Sequence, residues 1–414
     1  MSIYSKKKYS KSKRSIQGSK AISAKKRRSS SIQEILPLPW SYWPSEARLL
    51  ITLIAFWSVA GLLILGSASW WAASREMGDG AYYIKKQMIW LIASWGLLWI
   101  AISNNLRVWL KLAGPFLLVG LIMLLMTNQF GITINGSTRW LNIGPIQLQS
   151  SELIKPFIIL QSANLFSNWA RITADQKIFW LSIFGSILFL ILLQPNLSTA
   201  ALTGIIIWII ALSSGMRMRN LFGTALTGIL LGATSILLKD YQRSRVISFL
   251  DPWQDPQNTG FQLIQSLLAI GSGGWLGTGY GLSTQKLQYL PFRSSDFIYS
   301  VFAEEFGFIG CLMMLLFLLL IAFLGLRVAL RCKGNQSKLV AIGATTILVG
   351  QSIMNIAVAS GLMPTTGLPL PMISYGGSSL ISSLLTGGLL IRCSLESTGI
   401  LTEVNSNKLN IKYG

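Results

Sequence analysis

Ten apolar runs set the terms on which this chain can fold: 49–69, 87–103, 110–127, 151–168, 178–194, 199–214, 221–238, 298–326, 339–360 and 378–392. About 20 apolar residues carry a helix across the hydrocarbon layer of a membrane. In lipid every backbone N–H and C=O must find an internal partner, which an α-helix supplies. The expected fold is an all-α polytopic membrane protein with about ten transmembrane helices and one large extracytoplasmic loop. Composition agrees: charged residues are only 12 % of the chain, about half the share of a soluble domain. Two places weaken the pattern. The run at 151–168 contains Glu152, Lys155 and Pro156, and only Pro195-Asn196-Leu197-Ser198 separates 178–194 from 199–214, so these are two spans or one broken helix.

Histidine is absent from the chain. That excludes a Ser-His-Asp triad, a His-ligated zinc and an imidazole proton relay. Cys311, Cys332 and Cys393 lie in or beside apolar runs with no CxxC spacing, and they read as thiols rather than disulfides or metal ligands.

Charge is uneven. Lys and Arg number 35 against 14 Asp and Glu, and residues 1–48 hold 12 of the basic residues with two acids, Glu34 and Glu46. Such a segment buries too little apolar area to offset its ordering entropy, so it is expected to be a disordered basic tail. Its readings are a solvated tail resting on anionic lipid, a partner-docking tail, an organelle transit peptide or, last, a nucleic-acid binder. Ten spans put both termini on one side. Segments on that side hold 25 Lys and Arg against 10 on the other, so positive-inside bias makes both termini cytoplasmic. The domains are then the tail 1–48, a membrane domain 49–392 and a cytoplasmic C-terminal tail 393–414.

Two outer loops stand out, 128–150 and the long 239–297. The second runs through Asp251-Pro252 and Asp255-Pro256, read as turn makers. It continues through Gly271-Ser272-Gly273-Gly274, which lacks the Gly-Lys-Ser/Thr of a phosphate loop, to Arg293-Ser294-Ser295-Asp296-Phe297. Ser295 is a suitable N-cap for the eighth span, with Asp296 in its first turn. An ionisable residue at that depth is a functional candidate, a helix-capping acid being the alternative. Glu304 and Glu305 fall on other faces of the same helix, about 80° and 180° from Asp296. They read as carboxylates locked to a neighbouring helix. Arg139, Arg243, Arg245, Lys286 and Arg293 make the outer loops basic, which suits a diphosphate ligand or anchoring to phospholipid. Pro364, Pro369 and Pro371 break any helix in 361–377. A re-entrant lid over a wet cavity is expected there.

These stretches resemble the SEDS proteins (shape, elongation, division and sporulation), the division branch more than the elongation branch. The resemblance rests on Asn135-Gly136-Ser137-Thr138-Arg139-Trp140 through Ser151-Glu152 to Lys155, Gln194-Pro195-Asn196, Phe249 to Gly281, Gln285 to Gly310 and Gly361 to Ser379. It implies polymerisation of lipid II into glycan strands at the outer face of the cytoplasmic membrane, at the division septum. The implied partners are the nascent glycan strand, a class B penicillin-binding protein acting as transpeptidase, other division proteins and the membrane, with no nucleic acid. It implies Asp296 as the essential acid, Lys286 in the cavity, and Arg139 and Glu152 on the family's motif positions; Arg243, Arg245, Arg293 and Ser295 join the candidate substrate site from the loop chemistry above. Ser294-Ser295 stands where the family usually has His-Thr, Asn196 where it has an acid, and Ser198 where it has Gly.

The implied chemistry is glycosyl transfer with inversion. A base takes the acceptor hydroxyl proton, and the lipid-diphosphate leaving group needs charge neutralisation from basic side chains or from Mg²⁺ or Mn²⁺. No organic cofactor is implied. A lipid II flippase and a non-catalytic division scaffold are the alternative readings.

Overall fold

The computed structural model describes residues 40–134, 137–144, 146–287 and 289–397. Most of the two tails lies outside the described residues. Helices occupy all ten expected positions. They are α1 (Ser45–Glu76), α2 (Tyr82–Ser103), α3 (Leu106–Phe130), the short α4 (Ser150–Leu153) with α5 (Lys155–Ser167), α6 (Ala174–Leu193), α7 (Leu197–Ser213) and α8 (Met218–Leu238). Beyond the long loop come α11 (Ile298–Arg331), α12 (Asn335–Thr345), which passes through a π-helical turn into α13 (Gln351–Ala359), and α14 (Gly377–Ser397). Among the described residues, eight helices are long and apolar enough to cross a membrane. α7 is shorter, and the fourth position is broken at Ile154. The doubtful fifth and sixth spans are separate helices. α1 begins at Ser45, inside the segment read as tail, and α14 runs on past residue 392.

Segment 132–148 departs from the all-helical expectation. It folds into a three-stranded antiparallel sheet: β1 (Ile132–Ile134), β2 (Ser137–Ile143) and β3 (Ile146–Leu148). Leu141 pairs with Leu148 and Asn142 with Gln147. Alternating polar and β-branched residues between turn formers favour strands here.

Packing sorts the helices by residue size. α14 carries Ser378, Ser379, Ser382, Ser383, Thr386, Gly387 and Gly388 and is buried along nearly its whole length. A Cβ on Gly388 would touch Ala101 and the backbone of Leu98, so small residues let α14 lie close against α2. α8 is the opposite case. Phe222, Ile229, Leu230, Leu237 and Leu238 face outward, a surface that lipid, not water, would cover.

The long loop 239–297 is structured by α9 (Asp240–Leu250) and α10 (Phe261–Ser272). Its glycine run has a backbone purpose. Gly307 breaks α11 with φ 64° and ψ −165°, a conformation open to glycine. The carbonyls freed above the break accept from Thr278 N (3.0 Å, Glu304 O) and Gly279 N (3.1 Å, Glu305 O), while Phe308 N donates to Gly274 O at 2.9 Å. Backbone meets backbone, so no Cβ fits on Gly277 or Gly307. Gly307→Ala should cost at least about 1–3 kcal/mol, read as a lower thermal unfolding midpoint in detergent. Gly96→Ala, with open space around it, should leave the midpoint unchanged.

Candidate active site

A cavity of about 200 Å³ opens where β2, α9, the turn before α11 and the irregular segment 360–376 meet. Arg139 and Trp140 line it from β2, Tyr241 and Arg245 from α9, Ser295 and Asp296 from the turn, and Gly367 and Pro369 from the irregular segment. The segment expected to form a lid is thus one wall of the cavity.

Asp296 is the one carboxylate in that lining. It lies before the spanning part of α11 and is partly exposed. Among the described residues, no side chain donates to its carboxylate or pairs with it. Burial pushes its carboxyl up to about 6, and the charges of Arg245 and then Arg139 pull it back part of the way. Gly367 keeps the gap open: a Cβ there would run into Arg139 Nη1 and come within 3.8 Å of Asp296 Oδ2.

The two guanidiniums are held by main-chain carbonyls. Arg139 Nη2 donates to Pro195 O at 2.6 Å and Arg245 Nη1 to Thr365 O at 2.9 Å. The Arg245 guanidinium also lies 4.6 Å from the centroid of the Tyr241 ring.

Ser295 does not cap the helix. α11 begins at Ile298 with Phe297 as its flanking residue, and the Ser295 hydroxyl turns back to Phe292 O. The turn is instead stapled from elsewhere. Asn355 Nδ2 donates to Asp296 O at 2.9 Å and to Leu368 O at 2.8 Å. Ser374 Oγ donates to Ser295 O, and Tyr375 N donates to Ser294 O at 2.8 Å. Asn355 and its neighbour one turn back, Gln351, were missed as site residues. Their signal was two amides four residues apart inside the apolar run 339–360.

Of the expected residues, Arg139, Arg245, Ser295 and Asp296 come together. The other basic side chains do not line this cavity. Lys286 Nζ, buried, donates to Glu305 Oε1 at 2.7 Å and to Ser67 Oγ at 2.9 Å. Arg243 is exposed on α9. Arg293 lies 3.7 Å from Glu76 and over Trp71. Glu152 is buried against Lys155, whose ammonium also reaches Gln351 Oε1 at 2.8 Å. Glu305 is bonded to a neighbouring helix through Ser67 of α1, as expected, but Glu304 is bonded to the loop before α11 and not to a helix. Glu304 takes up Ser283 Oγ, Thr284 N and Thr284 Oγ1, and Glu305 takes up Ser67 and Lys286.

A cell cycle protein family, FtsW/RodA/SpoVE, matches residues 47–399 of the chain. A probable peptidoglycan glycosyltransferase FtsW of Synechocystis is 50 % identical over 86 % of this chain and 91 % of its own length. The chain belongs to the FtsW/RodA/SpoVE family. Another probable FtsW, from Halorhodospira halophila, is 36 % identical over 86 % of this chain and 92 % of its own. Among solved structures, a peptidoglycan synthase complex that coordinates polymerization and crosslinking contains a chain with a TM-score of 0.70 and 31 % identity. The match covers 86 % of this chain and 99 % of that one. The rod shape determining protein RodA of Thermus thermophilus gives 0.62 and 27 % identity over 87 % and 97 %.

A Mg²⁺ or Mn²⁺ ion needs only one or two protein carboxylates where substrate phosphates and water supply its other oxygens. Among the described residues no group of three or more His, Cys, Asp or Glu side chains could hold such an ion unaided, and Asp296 is the one carboxylate at the cavity, beside two arginines.

The buried Glu152–Lys155 ion pair yields a stability prediction. Glu152→Gln leaves Lys155 charged and buried with no counter-ion, which should cost about 3–5 kcal/mol. Glu152→Gln combined with Lys155→Met should recover part of that loss in a thermal unfolding scan.

Proposed function

We propose that this chain is a peptidoglycan glycosyltransferase of the division type, polymerising lipid II at the outer face of the cytoplasmic membrane with Asp296 as general base. One observation carries the base assignment. Asp296 is the carboxylate that lines the cavity and is bound to no protein donor among the described residues. The names of the relatives supply the reaction class.

In the proposed step the hydroxyl of an acceptor sugar attacks the anomeric carbon of the donor. Its O–H bond breaks as the new C–O bond forms, and the proton passes to Asp296. The bond from the anomeric carbon to the lipid diphosphate breaks on the opposite face, and the diphosphate leaves with the electron pair. Arg139 and Arg245 neutralise it, a task suited to planar fork donors of fixed charge. We assign this neutralisation to the arginines rather than to a protein-held cation. Lipid II and the nascent glycan strand are the two reactants. A class B penicillin-binding protein crosslinks the product, and the peptidoglycan synthase complex among the solved relatives supports that pairing. Both termini face the cytoplasm, the membrane is the cytoplasmic one, and the division septum and other division proteins complete the setting.

The test is lipid II polymerisation by the purified chain, with and without its penicillin-binding partner. Asp296→Asn should lose about 10²–10⁴-fold in rate, and polymerisation at the wild-type rate would end the proposal. Lipid II dequenching in protein-only vesicles, without polymer, would favour translocation instead. Burial disfavours the charged carboxylate, so Asp296→Asn should unfold no earlier than wild type at pH 8.

The pH profile follows from the direction of the shift. The base works deprotonated, so the rate should rise with pH through about 6 and level off above it. Arg245 holds the Asp296 carboxyl down. In Arg245→Gln the acid limb should therefore move to higher pH, which initial rates from pH 5 to 9 would show.

A further inference from the structure

A second, larger cavity of about 460 Å³ lies at the other end of the bundle. α11 separates the two: Asp296 precedes its first residue, and Gly334 and Asn335 of the second cavity follow its last. Beyond its break at Gly307, α11 runs unbroken from Phe308 to Arg331, about 36 Å of helix, so the two cavities serve opposite leaflets.

The second cavity is lined by the start of α3 (Arg107), the α5–α6 connection (Asn168 and Arg171) and the start of α12 (Asn335 and Ser337). Its one acid, Glu396, is already engaged. That carboxylate accepts from Arg392 Nε at 2.8 Å and from Leu106 N at 2.8 Å. Arg107 and Arg171 are exposed, and neither forms an ion pair or a side-chain hydrogen bond among the described residues. Two unspent guanidiniums therefore face one polar cavity, with the N-terminal N–H groups of α12 adding partial positive charge. The depth is that of a headgroup layer. Trp169, between two lining residues, stacks on Phe166 and has Lys177 Nζ 5.0 Å from its ring, the arrangement of an interfacial anchor.

From this geometry we infer that the cavity is a binding site for a phosphate ester, the headgroup of an anionic phospholipid in the leaflet opposite Asp296. The arginine forks match phosphate oxygens, and basic pockets between membrane helices take such headgroups. The volume exceeds what a bare phosphate fills, which favours the lipid over the free ion. The site stands apart from the proposed polymerase chemistry and survives if that reading fails.

The experiment titrates the purified full chain in detergent with dihexanoyl phosphatidylglycerol, dihexanoyl phosphatidylcholine or inorganic phosphate, and follows the thermal unfolding midpoint. The midpoint should rise with phosphatidylglycerol and not with phosphatidylcholine, and the rise should shrink in high salt. Arg107→Ala with Arg171→Ala should weaken half-saturation by roughly 25-fold, at about fivefold per lost arginine. Arg107→Lys with Arg171→Lys keeps the charge and should keep most of the response, which separates lost binding from a damaged fold. A response to inorganic phosphate as large as that to phosphatidylglycerol supports the phosphate chemistry with the free ion as its source. Equal phosphatidylglycerol responses in wild type and the double alanine variant, or equal responses to both lipids in wild type, overturn it.

Discussion

Non-helical backbone buried in a membrane bundle needs partners for its polar groups, and side chains supply several of them to the segment between α13 and α14. Gln351 Nε2 donates to Pro369 O, Asn355 Nδ2 to Leu368 O, and Ser374 Oγ accepts from Leu370 N. Gln87 of α2 takes Gly376 N on its oxygen and gives its amide to Ser374 O, both at 3.3 Å. Pro364, Pro369 and Pro371 lighten the demand, because each removes an N–H that would need an acceptor. Asn355 Nδ2 and Ser374 Oγ also reach across to the turn carrying Asp296. The cavity wall and the acid that faces it are therefore one hydrogen-bonded unit, and neither can shift without the other.

The buried acids divide by what they spend their charge on. Glu46 meets Arg327 and Arg331, Glu152 meets Lys155, and Glu305 meets Lys286. Glu304 is saturated by the hydroxyls and N–H groups of residues 283–284. A carboxylate held this way stabilises the fold, its charge already met by a neighbouring cation or set of donors. Asp296 feels two guanidiniums through space and is bonded to neither. It keeps its charge available and its proton affinity high, which is what a base near neutral pH requires.

The sequence shows the helices because lipid demands long apolar runs, and it shows Asp296 because a charge beside such a run is costly. It is silent on which cation meets which anion. Lys286 lies ten residues from Asp296 in the chain, yet it is bonded to Glu305 and to Ser67 of α1. Nothing local to Gln285-Lys286-Leu287 encodes that. Ser295 misled because capping preference describes a helix that starts where the polar residues end, whereas tertiary bonds from Asn355 and Ser374 extend the turn to Phe297. The glycines of 271–281 lack the Gly-Lys-Ser/Thr of a phosphate loop, and the sequence offers no other use for them. Their use shows only once Gly307 is seen breaking α11 against them.

The choice of partners for the two site arginines completes the electrostatics. Had Arg139 and Arg245 been fixed by carboxylates, their charge would be cancelled before any substrate arrived. Fixed by Pro195 O and Thr365 O, they are placed by neutral dipoles and keep a full charge each. A guanidinium also holds its proton across the pH range in which Asp296 changes state. Within the cavity one group titrates while its two neighbours stay constant, so a proton can be taken from a hydroxyl at one side and negative charge received at the other without the two events competing for the same residue.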